Sequence, residues 1–125
     1  MFYYVKIPLR LPSLNEFIAK TKIHNRDWNA GNELKRMVQS QIRYFLRDVP
    51  KITEPITIDF IWHEQNKKRD PDNICFAKKF ILDAMQEMNI IQNDNWEFVS
   101  GGFSDKFVCD GKFEVELFIK TKRGN

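Results

Sequence analysis

The pattern of apolar and polar positions divides the 125-residue chain into alternating strand and helix candidates. Tyr3 to Leu9 is short, aromatic and β-branched and stops at Pro12, which predicts a first strand. Pro12-Ser13-Leu14-Asn15-Glu16 predicts a turn leading into a loop or a short helix. From Asn29 to Arg47 the apolar residues Leu34, Met37, Val38, Ile42 and Phe45 recur at helical spacing, with Lys35, Arg36, Arg43 and Arg47 between them. Asp48 and Pro50 end that helix. Ile56, Ile58, Phe60 and Trp62 alternate with Thr57, Asp59, Ile61 and His63, the period of a strand with one well-buried face. After the polar run Glu64-Gln65-Asn66-Lys67-Lys68-Arg69, Asp70-Pro71-Asp72-Asn73 opens a second helix that reaches about Met88. Asn89 and Asn93 mark its exit loop, and Trp96 to Phe103 is expected as a strand. Lys112 to Lys120 is the last strand, with Phe113, Val115, Leu117 and Ile119 alternating against Lys112, Glu114, Glu116, Phe118 and Lys120. The order β-α-β-α-β-β predicts an α+β fold, an α/β sandwich with two helices packed on one mixed sheet.

Composition narrows the class. A chain of this length is expected to form a single domain, residues 1–125, with a core that needs no staples. No apolar run approaches a membrane span, and Met1-Phe2-Tyr3-Tyr4-Val5-Lys6 lacks the layout of a signal peptide. Cys75 and Cys109 stand far apart without a second cysteine near either, so neither a zinc pattern nor a disulfide framework is present. These features predict a cytoplasmic protein without a membrane partner. The net charge of +3 is unevenly spread: residues 1–51 hold ten Lys/Arg against four Asp/Glu, residues 52–125 ten against thirteen. A basic half beside an acidic half suits a protein that attracts a polyanion with one surface and a cation with another; a randomly mixed surface is the plainer reading.

The chemistry concentrates between Lys67 and Asp94. Asp70 and Asp72 flank Pro71, whose fixed φ pins the backbone between them, and in an extended stretch both carboxylates point to one side. A third, Asp94, follows the helix in the loop Gln92-Asn93-Asp94-Asn95. The helix is roughly 25 Å long. Asp94 therefore joins the pair only if the chain doubles back along the helix or if its loop meets the aspartates from a neighbouring strand. Three carboxylates without His or Cys suit a hard cation, Mg2+ or Mn2+, which offsets their repulsion, binds a phosphate oxygen and activates a water. Lys79 returns to the helical face of Asp72 and leans toward the helix start, where it can steady charge on a phosphate; Lys78 lies about 100° away. Asp83 is placed to pair with Lys79.

Each piece has a plain structural reading beside the functional one. Asp-Pro-Asp-Asn is also an N-cap and turn, Lys79 with Asp83 a solvated helix pair, Lys67-Lys68-Arg69 an exposed loop, and Asp94 a turn residue. His63 and Glu64 read as packing or rim residues rather than ligands, and Trp28 and Trp96 as core or interface rather than base-stacking.

Taken in order, Arg69-Asp70-Pro71-Asp72-Asn73, then Lys79-Phe80-Ile81-Leu82-Asp83-Ala84-Met85, then Asn93-Asp94, resembles the RusA-type Holliday junction resolvases, small homodimeric enzymes common in phages and prophages. Pro12-Ser13-Leu14-Asn15-Glu16 resembles the segment after that family's first strand, and the likeness covers nearly the whole chain. The resemblance implies that Asp70, Asp72 and Asp94 are catalytic, metal-binding carboxylates, that Lys79 is the catalytic lysine and that Asn73 and Asp83 support the site. It implies Mg2+ or Mn2+ as cofactor, paired hydrolysis of a four-way DNA junction in recombination and repair, and a homodimer. Lys67, Lys68 and Arg69 are the expected DNA-binding cations. Two departures stand out. About one extra helical turn separates Asp72 from the Lys-x-x-x-Asp unit, which leaves the choice between Lys79 and Lys78 open, and Asn93 stands where an acidic residue often precedes the last aspartate. The rivals are a branched-DNA-binding module without activity and a related flap or fork nuclease.

Overall fold

In the computed structural model, which describes residues 1–121, the strand read at residues 56–63 is the hub of the molecule. This strand, β2 (Ile56–Glu64), buries Ile56, Ile58, Phe60 and Trp62 on one face, as the alternation predicts. It pairs in antiparallel fashion with β4 (Glu114–Thr121) and in parallel with β3 (Phe103–Cys109). The first strand, β1 (Phe2–Ile7), pairs antiparallel with β4, setting Phe2 opposite Lys120 and Ile7 opposite Val115. The sheet is therefore mixed, in the order β1-β4-β2-β3, and the fold is α+β. The last four residues of the expected domain, 122–125, lie outside the described ones.

Four helices stand among the described residues rather than two. α1 (Leu14–Thr21) is the short helix that the Pro12–Glu16 segment left open: Ser13 Oγ accepts the Glu16 N–H and the Glu16 carboxylate accepts the Ser13 N–H. That reciprocal capping box satisfies two donors a helix start otherwise leaves unpaired. α2 (Ala30–Leu46), capped by Asn29, is the long amphipathic helix, with Val38, Ile42 and Leu46 buried. The second predicted helix is broken into α3 (Pro71–Cys75) and α4 (Lys78–Glu87). At the break, the N–H groups of Ala77, Lys79 and Phe80 donate three residues back, to Ile74, Phe76 and Ala77. This tightens the turn and sets Phe76 against both Phe17 and Phe80, each with a ring separation of 5.6 Å. The buried residues of α2 and α4 join those of the sheet in one core.

The strand expected over Trp96 to Phe103 is absent. Val99 N–H bonds back to Asn95, Gly102 N–H to Val99, and Gly102 takes φ +75°, so the chain coils through turns and becomes extended only from Phe103. Phe98 and Val99 are buried there, which explains an apolar signal without a strand. Trp96 is 96% exposed and Trp28 is also exposed, so of the two places expected for them, core or interface, the core is excluded; Trp62 is the buried tryptophan. No described helix is long and apolar enough to cross a membrane.

Candidate active site

Asp70 is the N-cap residue of α3, with extended backbone (φ −77°, ψ 152°), and Pro71 occupies the first helical turn. The Asp70 carboxylate makes no capping hydrogen bond; the Asn73 and Ile74 N–H groups bond instead to the Asp70 carbonyl. Asp70 thus presents an exposed carboxylate to a groove of about 370 Å³, lined also by Lys67, Pro71, Ile74 and Phe107. Asp72, in the first turn of α3, is exposed, and one of its oxygens accepts the Asn73 N–H at 3.0 Å. Both positions follow from the Pro at N1, which begins a helix without needing a donor of its own.

The chain doubles back after α4, one of the two routes the sequence left open, but Asp94 meets Lys79 rather than the Asp70–Asp72 pair. Asn89 takes the left-handed conformation (φ +58°) just past α4, and Ile90 N–H closes on the Met85 carbonyl at 2.9 Å, a turn that ends the helix and reverses the chain. Ile90 and Ile91 are buried, the Ile90 carbonyl accepts the Ile52 N–H, and Gln86 donates to Asn93. The loop then lays Asp94 against the first turn of α4, where Lys79 Nζ lies 3.6 Å from Asp94 and 3.1 Å from Asp83. The Asp83 hydrogen bond, opposed by partial burial and reinforced by Asp94, holds the Lys79 ammonium above its ordinary pKa. Asp83 is shared with Lys35, 3.0 Å away.

Lys78 is differently placed. It bonds to Asp105 of β3 at 2.6 Å and lies over the rings of Phe60 and Phe103, 5.4 Å and 5.0 Å from their centroids. The other Asp105 oxygen accepts the Trp62 indole N–H at 2.8 Å. Burial pushes the Cys75 thiol up, Asp105 and Asp72 push it further, and Lys78 opposes them, so these groups share one electrostatic neighbourhood. Asp105 escaped the sequence reading because its strand did; its signal is its place in step with Phe103 and Phe107. Phe103 lines the groove of about 370 Å³ that holds Asp94, and Phe107 lines the groove that holds Asp70, so the Lys78–Asp105 pair stands between the two.

Asp70, Asp72 and Asp94 do not bring three ligand atoms together. The only group of three or more metal-ligating side chains within mutual reach, among the described residues, is His63, Glu114 and Glu116. Unscreened carboxylates repel, and here Asp94 answers Lys79 while Asp72 turns to its own helix. Exposed carboxylates such as Asp70 and Asp72 are donors of the kind a hydrated Mg2+ takes, one or two at a time, while keeping several waters.

Arg69 is not the free cation expected for DNA. Its guanidinium bonds both Glu64 oxygens (2.9 Å and 2.6 Å) and the Leu11 carbonyl (2.7 Å) and approaches Glu16 at 3.4 Å, with its side chain only 14% exposed. A two-pronged carboxylate clamp of this kind ties β2 to α1. Lys67 and Lys68 remain exposed. His63 and Glu64 are buried at the end of β2, each amid charged partners. No protein-family model matches the chain, and no curated protein matches it.

Proposed function

We propose that the protein is a Mg2+- or Mn2+-dependent endodeoxyribonuclease that acts in the cytoplasm as a homodimer and resolves four-way DNA junctions by paired phosphodiester hydrolysis. The observation that carries this reading is the return of Asp94 to the first turn of α4, immediately after the helix that bears Asp70 and Asp72. Lys79, Asp83 and Asp94 are thereby brought together, one short helix away from Asp70 and Asp72, in the order along the chain that resembles the junction resolvases.

Lys79, with a side chain 56% exposed, is the lysine assigned to the phosphate; Lys78 is committed to Asp105 and two aromatic faces. An arriving phosphate oxygen offers Lys79 a partner in place of Asp94. That exchange frees the Asp94 carboxylate, and Lys79 steadies the charge that develops on the scissile group. A bound Mg2+ supplies charge neutralisation and an activated water. Lys67 and Lys68 flank Asp70 as exposed cations for the backbone, and a two-fold pair supplies the second matched cut.

The test is incubation of one labelled four-way junction with wild type, Asp70→Asn and Asp72→Asn, in Mg2+ and in EDTA, with retardation measured in parallel. Paired symmetrical nicks are expected from wild type in Mg2+ alone, with cutting by the variants at background and their junction binding retained or tightened. Cleavage of flaps or forks but not junctions would replace the substrate. Retardation without cutting in any metal would leave a binding module. Variants that lose binding as severely as cutting while still folded would make the aspartates structural caps.

A further inference from the structure

A second constellation sits on the opposite face of the sheet. His63 of β2 faces Glu114 across the β2–β4 pairing, with Glu116 two residues further along β4. One ligand atom from each lies within 4.8 Å of the others. His63 Nε2 is 2.5 Å from Glu116 and 3.8 Å from Glu114, while Nδ1 is held by Asp110 at 2.6 Å. Glu114 is the telling member. Its side chain is only 7% exposed, and its two oxygens are paired with the Lys6 and Lys112 ammonium groups at 3.5 Å each. Both lysines are more than half exposed and swing on long stems. Glu114 thus brings a buried carboxylate up to the imidazole nitrogen, balanced by two exposed ammonium groups that a closer cation can displace.

We infer that His63 Nε2, Glu114 and Glu116 form a binding site for a divalent transition-metal cation, zinc foremost. Zinc takes imidazole nitrogen and carboxylate oxygen at about 2.0–2.2 Å in tetrahedral array, which sets ligand atoms about 3.4 Å apart. The 2.5 Å and 3.8 Å separations bracket that value, so small side-chain shifts admit the ion. Asp110 completes the logic: a metal-bound histidine normally gives its other N–H to a carboxylate, which fixes tautomer and ring orientation. Tyr4, donating to the outer Glu116 oxygen at 2.6 Å, orients that ligand in the same way. Three protein ligands leave a fourth position for water. Nitrogen among the donors distinguishes this site from the all-carboxylate group of α3 and the Asp94 loop, which suits harder cations. An ion here joins β2 to β4 and, through Asp110, to the turn before β4, so its role is to fasten the sheet.

The experiment loads the full chain with zinc, dialyses it and measures bound metal by mass spectrometry. Wild type and the Asp70→Asn, Asp72→Asn double variant are expected to retain one equivalent. His63→Gln and Glu114→Gln are expected to lose it, and Asp110→Asn to bind about ten- to a hundredfold more weakly. Loss of zinc from the aspartate double variant, with retention by His63→Gln, would overturn the assignment. Should the His63 or Glu114 variants fail to fold, nitrogen NMR of the wild-type imidazole decides. Zinc should shift the Nε2 resonance and leave a proton on Nδ1. An imidazolium that keeps both protons in excess zinc would reduce the cluster to an ion pair and end the proposal.

Discussion

Two charged clusters draw on the same stretch of chain and come out opposite in kind. Around Arg69, the main partners are short, directional and shielded: Glu64 is clamped at two oxygens and Leu11 offers its carbonyl, with only the outer Glu16 contact longer, at 3.4 Å. Around Lys79, the partners are longer, the ammonium is more than half exposed, and Asp94 at 3.6 Å is held by charge alone. The first arrangement cannot release a group without leaving a buried charge unpaired, a strongly unfavourable state. The second can trade one partner for another at little cost, because water screens each intermediate arrangement. Fixed charge of the first kind is architecture; exchangeable charge of the second kind is available to a ligand.

That contrast breaks most visibly at Arg69. Arg69→Ala should cost about 3–5 kcal/mol of stability, because Glu64 stays buried without its counterion. Urea unfolding measures this, and Lys68→Ala serves as the exposed neighbour that should change stability little while weakening DNA binding and its salt dependence. An Arg69→Ala protein as stable as wild type would place the clamp among surface pairs.

The two adjacent lysines sharpen the comparison. Lys79→Ala should lower junction cleavage about a hundredfold, the effect of losing one group that steadies transition-state charge, with the unfolding midpoint barely moved. Lys78→Ala should do the reverse, costing about 1–2 kcal/mol of stability by stranding Asp105 beside Phe60 and Phe103, with a smaller effect on the cleavage rate. If Lys78→Ala is the more damaging to cleavage, the added turn between Asp72 and Lys79 has shifted the catalytic register.

The smallest effect is expected at Glu16, which lies between the two kinds. Burial opposes its ionisation, but Arg10 hydrogen bonds and the Ser13 N–H outweigh it and hold the carboxyl at about 2. A group depressed from 4.5 stabilises the fold fully above pH 4.5 and loses that contribution as the pH falls toward 2. Thermal melts across that window should show a decline in wild type that Glu16→Gln flattens. An identical slope in both proteins would assign the acid sensitivity elsewhere.

How much of this was legible in the chain depended on burial. β2 and β4 were readable because one face of each is packed, so period-two alternation was enforced by the core. β3 was not, because it is an edge strand exposed along most of its length, and Ser104, Asp105 and Lys106 carry no burial pattern. The coil before it was mistaken for a strand because Phe98 and Val99 are buried from turns. α1 had its signal in Ser13 and Glu16, a capping box three residues apart, read only as the edge of a loop or short helix. The break between α3 and α4 had none, since Phe76 and Ala77 continue a helical pattern and only contact with Phe17 favours the bend. Asp70, Asp72, Lys79 and Asp94 stand out by type and order, but their spacing does not show that Asp94 meets Lys79 rather than the other aspartates, which turns on the left-handed Asn89. Arg69 was misread because a guanidinium in a polar run gives no hint of which carboxylates will enclose it.

The pairing of β1 with β4 also bears on how the chain is made. Val5 and Ile7 are buried in the core they share with α2, while the one strand that β1 pairs with, β4, lies more than a hundred residues further along the chain. The α2 helix can form from local contacts soon after it is made, whereas the backbone groups of β1 must wait for β4 before they pair. Native pairings this distant in sequence belong to the slow end of folding rates, since the chain loses the entropy of a long loop before any bond rewards it. Until β4 is in place, β1 presents an unpaired strand edge, the kind of surface that associates with other chains.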